Sequence, residues 1–151
     1  MMLESEKTKI NTATGNLKAG YSCSEAVLLT YGPQLDLDQK LAVKIASGFG
    51  GGMGGLGETC GAVTAAYMVI GLKYGGNNAK DNYPRASAYQ AVTEFAHLFK
   101  KRHGSTYCRD LIGGIDMSTP EGRKQIRENG RVPEIVSDAI IILEKIFKGN
   151  D

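Results

Sequence analysis

The sequence predicts an all-α fold, a single-domain multi-helix bundle with one glycine-rich loop. Residues that typically cap helices are followed by apolar residues at helical spacing. Glycine or proline stands where these apolar patterns end. No hairpin signal and no sustained alternation of apolar and polar residues occurs. Because 151 residues suffice for one substantial core, we expect one helical domain over residues 1–151.

The first two helices follow directly from local signals. Residues 5–18 form a weakly amphipathic segment in which threonine and asparagine are common. Ser22 and Glu25 then fit the S-x-x-E capping box of a second helix. The apolar run AVLLTY continues this helix until Gly32 and Pro33, which end it.

The third and fourth helices flank the glycine-rich stretch. Asp36 and Gln39 mark the start of the third. Its apolar positions have helical spacing and comprise Leu37, Leu41 and Ile45. Thr59 is the predicted N-cap of the fourth helix, which runs over about residues 60–74 and ends at Gly75.

Four further helices are predicted in the second half. Pro84 suits the first turn of a helix over about residues 83–103, which Gly104 ends. Ser105 or Thr106 is the predicted cap of a short helix that contains Cys108. A seventh starts near residues 118–121 and ends at residues 129–130, and the last covers residues 133–147. Its apolar stripe consists of Ile135, Val136, Ala139, Ile140, Leu143, Ile146 and Phe147.

The composition argues against several classes of partner. The formal net charge is +2 and the lysines and arginines are scattered, so no nucleic-acid partner is expected. The N-terminal MMLESEKTKI lacks the apolar core of a signal peptide. The longest apolar run, residues 62–72, is too short to cross a membrane, so we expect no membrane partner and a cytoplasmic location.

The segment GFGGGMGGLGETCGA, residues 48–62, has eight glycines in fifteen residues. It satisfies G-x-G-x-x-G twice, but a helical pattern precedes it and no acidic residue follows at the required distance. No nucleotide is therefore expected. Glycines permit close backbone approach, so they either bring two helices together or expose N–H groups to an anion or cofactor. The candidate residues of such a cofactor-binding loop are Gly50, Gly51, Gly52, Gly54 and Gly55.

The three cysteines share a placement near predicted helix N-termini. Cys23 follows the cap Ser22, Cys60 follows Thr59, and Cys108 lies in the first turn of its helix. Backbone N–H groups and the helix dipole at such positions lower thiol pKa values, whereas an inert buried cysteine is the competing interpretation. We expect the three to converge on one pocket that the glycine stretch borders.

Three segments together resemble a known family. GYSCSEAVL, GGGMGGLGETCGAVTAA and FKKRHGSTYCRDLIGGID, in this order, are similar to the C-GCAxxG-C-C family of cysteine proteins, for which a redox activity is proposed. The resemblance covers about residues 17–143. It implies a small, cytoplasmic, mostly helical protein with four characteristic cysteines and no assigned substrate. Cys23, Cys60 and Cys108 match the first three of them.

The chain departs from that family pattern at two positions. Ala65 stands where the motif has glycine, and Val132 stands where the fourth cysteine falls, just before Pro133. A four-thiolate site therefore cannot form within one chain. His103 could supply a fourth ligand beside Cys23, Cys60 and Cys108 in a metal or iron–sulfur site. No C-x-x-C-H motif occurs, so covalent haem is excluded.

Three functions remain open at this point. The first is thiol-redox or thiol-reactive chemistry that uses Cys60 with Cys108 or Cys23, acting on a small molecule or a redox partner protein. The second is a metal or iron–sulfur module built from the same thiolates. The third is a non-catalytic ligand-binding protein with inert cysteines. We also expect a homodimer, because Ile140, Ile141 and Ile142 cover most of the last helix's circumference.

Overall fold

A computed structural model describes residues 2–150, whose regular structure is helical. The helices are α1 (Glu4–Lys18), α2 (Cys23–Tyr31), α3 (Gln39–Ala46), α4 (Gly61–Tyr74), α5 (Asn82–His103), α6 (Cys108–Leu111), α7 (Pro120–Glu128) and α8 (Arg131–Asn150). Short helical turns lie at Gly32–Leu35, Ser47–Phe49 and Gly50–Met53. The only extended pairing in this part of the chain is an isolated bridge between Thr59 and Tyr107. The predicted all-α class is confirmed.

The centre of the bundle is formed by α2, α4 and α8. Helix α2 contacts α1, α3, α4 and α8, while α5 packs on α4 and α8. Both α2 and α4 are buried around most of their circumference, as expected of helices without a polar face. Between residues 2 and 150, no helix combines the length and apolarity needed to cross a membrane.

Several predicted helix boundaries are confirmed by their capping contacts. Ser22 accepts a hydrogen bond from the Glu25 N–H, and the Glu25 carboxylate accepts one from the Ser22 N–H, which completes the capping box. Thr119 caps α7 by accepting from the Gly122 N–H. Gly104 ends α5 in the left-handed conformation at φ 84°. Each of these capping contacts joins residues only a few positions apart, so it can be recognised from the sequence alone.

Two predicted N-caps are wrong, and the same long-range contact explains both. Cys60, not Thr59, is the N-cap of α4, and Tyr107, not Ser105 or Thr106, is the N-cap of α6. Thr59 and Tyr107 are held opposite each other in the antiparallel bridge, which fixes their backbones in extended conformation. The bridge joins residues 48 positions apart and carries no local sequence signal.

The apolar face of α3 also differs from the prediction. Ala42 and Ala46 are buried, whereas Leu41 and Ile45 are 48% and 44% exposed. The small alanines let α3 approach α2 closely, which turns the larger side chains toward solvent.

The predicted apolar stripe of α8 lies in the core. The predicted residues are all buried, and they comprise Ile135, Val136, Ala139, Ile140, Leu143, Ile146 and Phe147. Of the three isoleucines on which the homodimer prediction was based, Ile140 and Ile142 are buried and Ile141 is half-buried. A homodimer stays a prediction.

Candidate functional site

Three cysteines from three helix starts line one small cavity. Cys23 is the first residue of α2, Cys60 is the cap of α4, and Cys108 is the first residue of α6. Their thiols are free and line a cavity of about 30 Å³, which has space for one or two water molecules. Gly51 and Gly52 also line this thiol cavity. The predicted convergence beside the glycine stretch is confirmed.

The bridge between Thr59 and Tyr107 sets the positions of two of these cysteines. The Cys60 N–H donates to the Thr106 carbonyl at 2.8 Å, and the Cys108 N–H donates to the Glu58 carbonyl at 2.7 Å. This pattern makes Cys60 and Cys108 diagonal neighbours on one face of the pairing. The Cα atoms of such diagonal positions are about 7–8 Å apart, just beyond the usual disulfide range. The two thiols are therefore adjacent but separate.

Close backbone approach at two glycines completes the cavity. A Cβ on Gly61 would lie 3.1 Å from the Ser24 nitrogen, so the start of α4 can approach the start of α2 and bring Cys60 to Cys23. Gly52 has φ +69°, and a Cβ there would lie 2.5 Å from Cys108 Cβ. Glycine is the residue that both positions require.

The wider glycine segment forms a turn against α6 and the loop before α7. The Gly57 carbonyl accepts from the Arg109 backbone N–H at 3.2 Å and from its Nε at 2.9 Å. The same Arg109 forms an ion pair with Glu58 at 3.0 Å. Whether the candidate loop also binds an anion or cofactor stays a prediction; its residues are Gly50, Gly51, Gly52, Gly54 and Gly55.

The thiol cavity lies where two apolar clusters meet. Cys60 belongs to the main core, with Leu111 and Ile135 as neighbours in the cavity wall. Cys108 belongs to a small second cluster with Ile112 and Ile126. Residues 112–130 therefore cover the thiols from one side, and few of the apolar side chains in this segment are buried. Sequence reasoning missed this cover, because its residues carry no chemical signal beyond their apolarity.

Burial raises the pKa of every thiol in the cavity, which reverses the direction expected from the helix starts. Burial raises the pKa of Cys60 to about 11, although the N–H groups of Ala62 and Val63 act to lower it. Burial also raises the pKa of Cys23 well above its usual value, and the neighbouring Cys60 and Cys108 raise it further. The pKa of Cys108 is raised by burial alone. The thiols are consequently neutral near pH 7.

We expect slow and strongly pH-dependent alkylation of Cys60. The thiolate is the nucleophile, and a pKa of about 11 leaves a small ionised fraction at pH 7 that grows as the pH rises toward 11. Iodoacetamide should therefore modify Cys60 in the folded protein roughly two orders of magnitude more slowly than a free cysteine of pKa about 8.5. Mass-spectrometric mapping between pH 7 and pH 10 measures this rate. Labelling at pH 7 as fast as in the urea-unfolded chain would contradict it.

His103 is not among the residues that line the thiol cavity, which argues against the alternative of a metal site that combines His103 with the three cysteines. Its Nε2 lies 2.9 Å from Asp138 Oδ2, an ion-pair distance without hydrogen-bond geometry, and its ring packs on Phe99. Arg102 pairs with the other oxygen of Asp138 at 3.2 Å. Among residues 2–150, no group of three or more histidine, cysteine or acidic side chains is arranged to hold a metal ion.

Val132 lines the same thiol cavity. The residue that stands at the fourth cysteine position thus faces the other three, and it contributes a methyl-bearing wall instead of a fourth thiol. At the fourth cysteine position the cavity therefore has an apolar wall, and its three thiols have no fourth thiol beside them.

The sequence matches one protein family over most of its length. A family model described as "Putative redox-active protein (C_GCAxxG_C_C)" matches residues 21–146, a span that contains all three cysteines and Val132. An "Uncharacterized protein" of Archaeoglobus fulgidus is 29% identical over 150 residues, which cover 93% of each chain. No solved structure matches the chain.

Proposed function

The chain belongs to the family described as "Putative redox-active protein (C_GCAxxG_C_C)". From this premise we propose that its cysteines form a covered centre for thiol–disulfide exchange. In this centre Cys60 and Cys108 are the exchanging pair, and Cys23 is the third thiol of the cavity. The observation that carries the proposal is that three free cysteines, from helix starts 37 and 48 residues apart, line one cavity. We place the protein in the cytoplasm, where thiols are kept reduced.

The proposed chemistry transfers two electrons to an exogenous disulfide. The Cys60 thiol loses its proton, and its sulfur attacks one sulfur of the substrate disulfide. The substrate S–S bond breaks, a mixed disulfide forms, and the first substrate thiolate takes a proton. The Cys108 thiol then loses its proton, and its sulfur attacks the Cys60 sulfur of the mixed disulfide. The Cys60–Cys108 bond forms, the bond from Cys60 to the substrate sulfur breaks, and the second substrate thiolate takes a proton. Two protein thiols are oxidised and one disulfide is reduced to two thiols.

The bridge supports this choice of pair. Cys60 and Cys108 are held on one face by two backbone hydrogen bonds, at 2.8 and 2.7 Å. A shift of about 1 Å brings diagonal Cα positions into the disulfide range. The neighbouring turn contains Gly51, Gly52 and Gly57 at positive φ, and the carbonyls of Gly52 and Gly57 accept hydrogen bonds from the N–H groups of Glu58 and Arg109.

The test is oxidation of the full chain with oxidised glutathione, followed by peptide mapping without reduction. We expect a peptide that joins Cys60 to Cys108, and the same cross-link in Cys23→Ser. Cys108→Ser should instead accumulate a glutathione adduct at Cys60, because the second attack is lost. Three unmodified thiols after prolonged exposure would contradict the proposal and favour inert cysteines. A Cys23–Cys60 cross-link would contradict the assigned pair.

Substrate access requires movement of the cover. A cavity of about 30 Å³ cannot admit a disulfide, so residues 112–130 must move before exchange. This segment is attached mainly through the small cluster of Cys108, Ile112 and Ile126, and Gly113, Gly114 and Gly130 at its ends have positive φ. Segments with little buried apolar area open at lower free energy than the global fold.

We expect Ile126→Ala to speed labelling of the thiols. Ile126 is 3% exposed, and its truncation weakens the small cluster by about 2 kcal/mol, which corresponds to a roughly tenfold or greater increase in opening. The measurement is the iodoacetamide rate of Cys23 and Cys60 without denaturant. Ile140→Ala is the matched control, because Ile140 is fully buried in the main core. An equal increase in Ile140→Ala would show that global unfolding, rather than the cover, gives access.

A further inference from the structure

The cover of the thiol cavity contains a fourth sulfur atom, in a methionine that the exchange chemistry does not use. Met117 lines the thiol cavity together with the three cysteines. Its side chain is half-buried and packs on the small apolar cluster to which Cys108 belongs. The same side chain therefore borders the thiols and helps to attach residues 112–130 to the rest of the protein.

Met117 also connects the cover to the glycine stretch. A Cβ on Gly51 would lie 3.4 Å from Met117 Cε and 3.7 Å from Met117 Cβ, so the methionine side chain packs directly against this glycine. The Met117 and Ser118 carbonyls each accept a hydrogen bond from Arg123 Nη1 at 3.1 Å. The backbone of this loop is thus held by polar contacts, while the Met117 side chain supplies an apolar contact with the glycine stretch.

The other side chains around the thiol cavity are apolar. They comprise Leu111, Ile112, Ile126, Val132 and Ile135. The thiols of the lining are weak hydrogen-bond donors. Such surroundings suit a thioether, which is apolar and adapts its shape, but they offer little to a strong hydrogen-bond acceptor.

The thioether and the thiols of this cavity differ in their readiness to react with a peroxide near pH 7. Burial raises the pKa of Cys60 to about 11 and also raises the pKa of Cys108, so little of the reactive thiolate is present. A thioether has no proton to lose, and its oxidation by peroxide therefore does not require ionisation. Because Met117 is half-buried rather than buried, a small peroxide can reach it.

We propose that Met117 is an oxidation site for peroxides, and that its sulfoxide releases residues 112–130 and exposes the three cysteines. A sulfoxide places a strong hydrogen-bond acceptor against apolar walls, which costs free energy until that oxygen reaches water. The oxidised side chain is therefore more stable in the open form of the cover. As regulation of the exchange centre this role rests on the proposed function, whereas the release of the cover does not depend on it.

The oxidation transfers one oxygen atom to Met117. The thioether sulfur attacks one oxygen of the peroxide, the O–O bond breaks and an S–O bond forms. The other oxygen takes the proton of the attacked oxygen and leaves as water, or as an alcohol when the peroxide is organic. The sulfur loses two electrons and the peroxide gains them, so no further reactant is needed.

The test measures iodoacetamide labelling of Cys60 in the folded chain before and after treatment with hydrogen peroxide. Dithiothreitol then returns disulfides and sulfenic acids to thiols while the sulfoxide stays, and mass-spectrometric mapping gives the conversion of Met117. We expect oxidation of Met117 to speed labelling about fivefold or more, the ratio that corresponds to relief of an unpaired buried polar group.

Three variants separate the polarity of this side chain from other effects of peroxide. Met117→Gln places an amide of similar length in the cavity and should speed labelling by a similar factor without peroxide. Met117→Leu keeps an apolar side chain, so peroxide should leave its labelling rate unchanged. Met68→Leu is the matched control, because Met68 is half-buried against the main core and does not line the thiol cavity, so peroxide should still speed labelling.

Four outcomes would overturn the proposal. Met117 that stays unoxidised while Met2 is converted would show that peroxide does not reach it. Unchanged labelling after full conversion of Met117 would show that the closed cover tolerates the sulfoxide. Faster labelling in peroxide-treated Met117→Leu would assign the effect to another residue. A fall in global stability that accounts for the whole increase, measured by urea unfolding, would exclude local release of the cover. Labelling requires no disulfide exchange, so each of these results leaves the proposed exchange chemistry standing.

Discussion

Gly52→Ala is expected to lower the free energy of unfolding by about 3–5 kcal/mol, because backbone strain and steric overlap add at one position. The added Cβ would lie 2.5 Å from Cys108 Cβ and 2.8 Å from the Glu58 carbonyl oxygen, and the backbone has φ +69°. The Glu58 N–H also donates to the Gly52 carbonyl, so displacement of Gly52 disturbs the bridge beside the thiol cavity. Urea-induced unfolding followed by circular dichroism measures the change.

Gly48→Ala is the matched control within the same glycine stretch. A Cβ on Gly48 meets nothing within 4 Å, and this residue lies inside the helical turn Ser47–Phe49. Alanine at such a position is expected to be neutral or to stabilise the fold by about 0.4–1 kcal/mol, since it restricts the unfolded chain. Similar losses in both variants would mean that flexibility of the whole stretch, rather than packing at Gly52, is what the fold requires.

Asp138→Ala is expected to lower the free energy of unfolding by about 1–3 kcal/mol, because it removes a buried carboxylate that lies at ion-pair distance from half-exposed Arg102 and from buried His103. Asp138 is 7% exposed and contacts both Arg102 and His103. The His103 side chain is 4% exposed, so its Nε2 would stay buried without the carboxylate. Thermal and urea unfolding measure the loss, and thiol labelling should change only as far as global stability changes.

Glu134→Gln provides the comparison for an exposed charge on the same helix. Glu134 pairs with Arg131 at 3.3 Å, with side chains 57% and 40% exposed, so its loss is expected to cost at most a few tenths of a kcal/mol. If Asp138→Ala is as mild as Glu134→Gln, the Asp138 cluster does not hold α5 and α8 together.

Local sequence signals were sufficient to predict most of the fold. The capping box at Ser22, the proline at position 120 and the glycine at position 104 each act within one helical turn, so the chain displays them directly. The convergence of the cysteines was predicted from their shared position at helix starts. The predicted N-caps of the helices at Cys60 and Cys108 differ from the observed N-caps by one or two residues.

Features set by distant contacts could not be predicted. The pairing of Thr59 with Tyr107 and the contact of His103 with Asp138 join residues far apart in the sequence. The predicted direction of the thiol pKa shifts was wrong for the same reason. The helix-start effect is local, whereas the burial of Cys60 involves residues distant in the sequence, among them Leu111 and Ile135 of the cavity wall.

The cover over the thiol cavity has a consequence for how the protein would respond to oxidants in time. If neutral thiols react only after residues 112–130 open, the rate at high oxidant concentration reaches a ceiling equal to the frequency of opening. Brief exposure to oxidant would then leave most of the protein reduced, while sustained exposure would lead to accumulation of the disulfide form. The oxidised fraction would report the duration of exposure rather than the oxidant concentration at one moment.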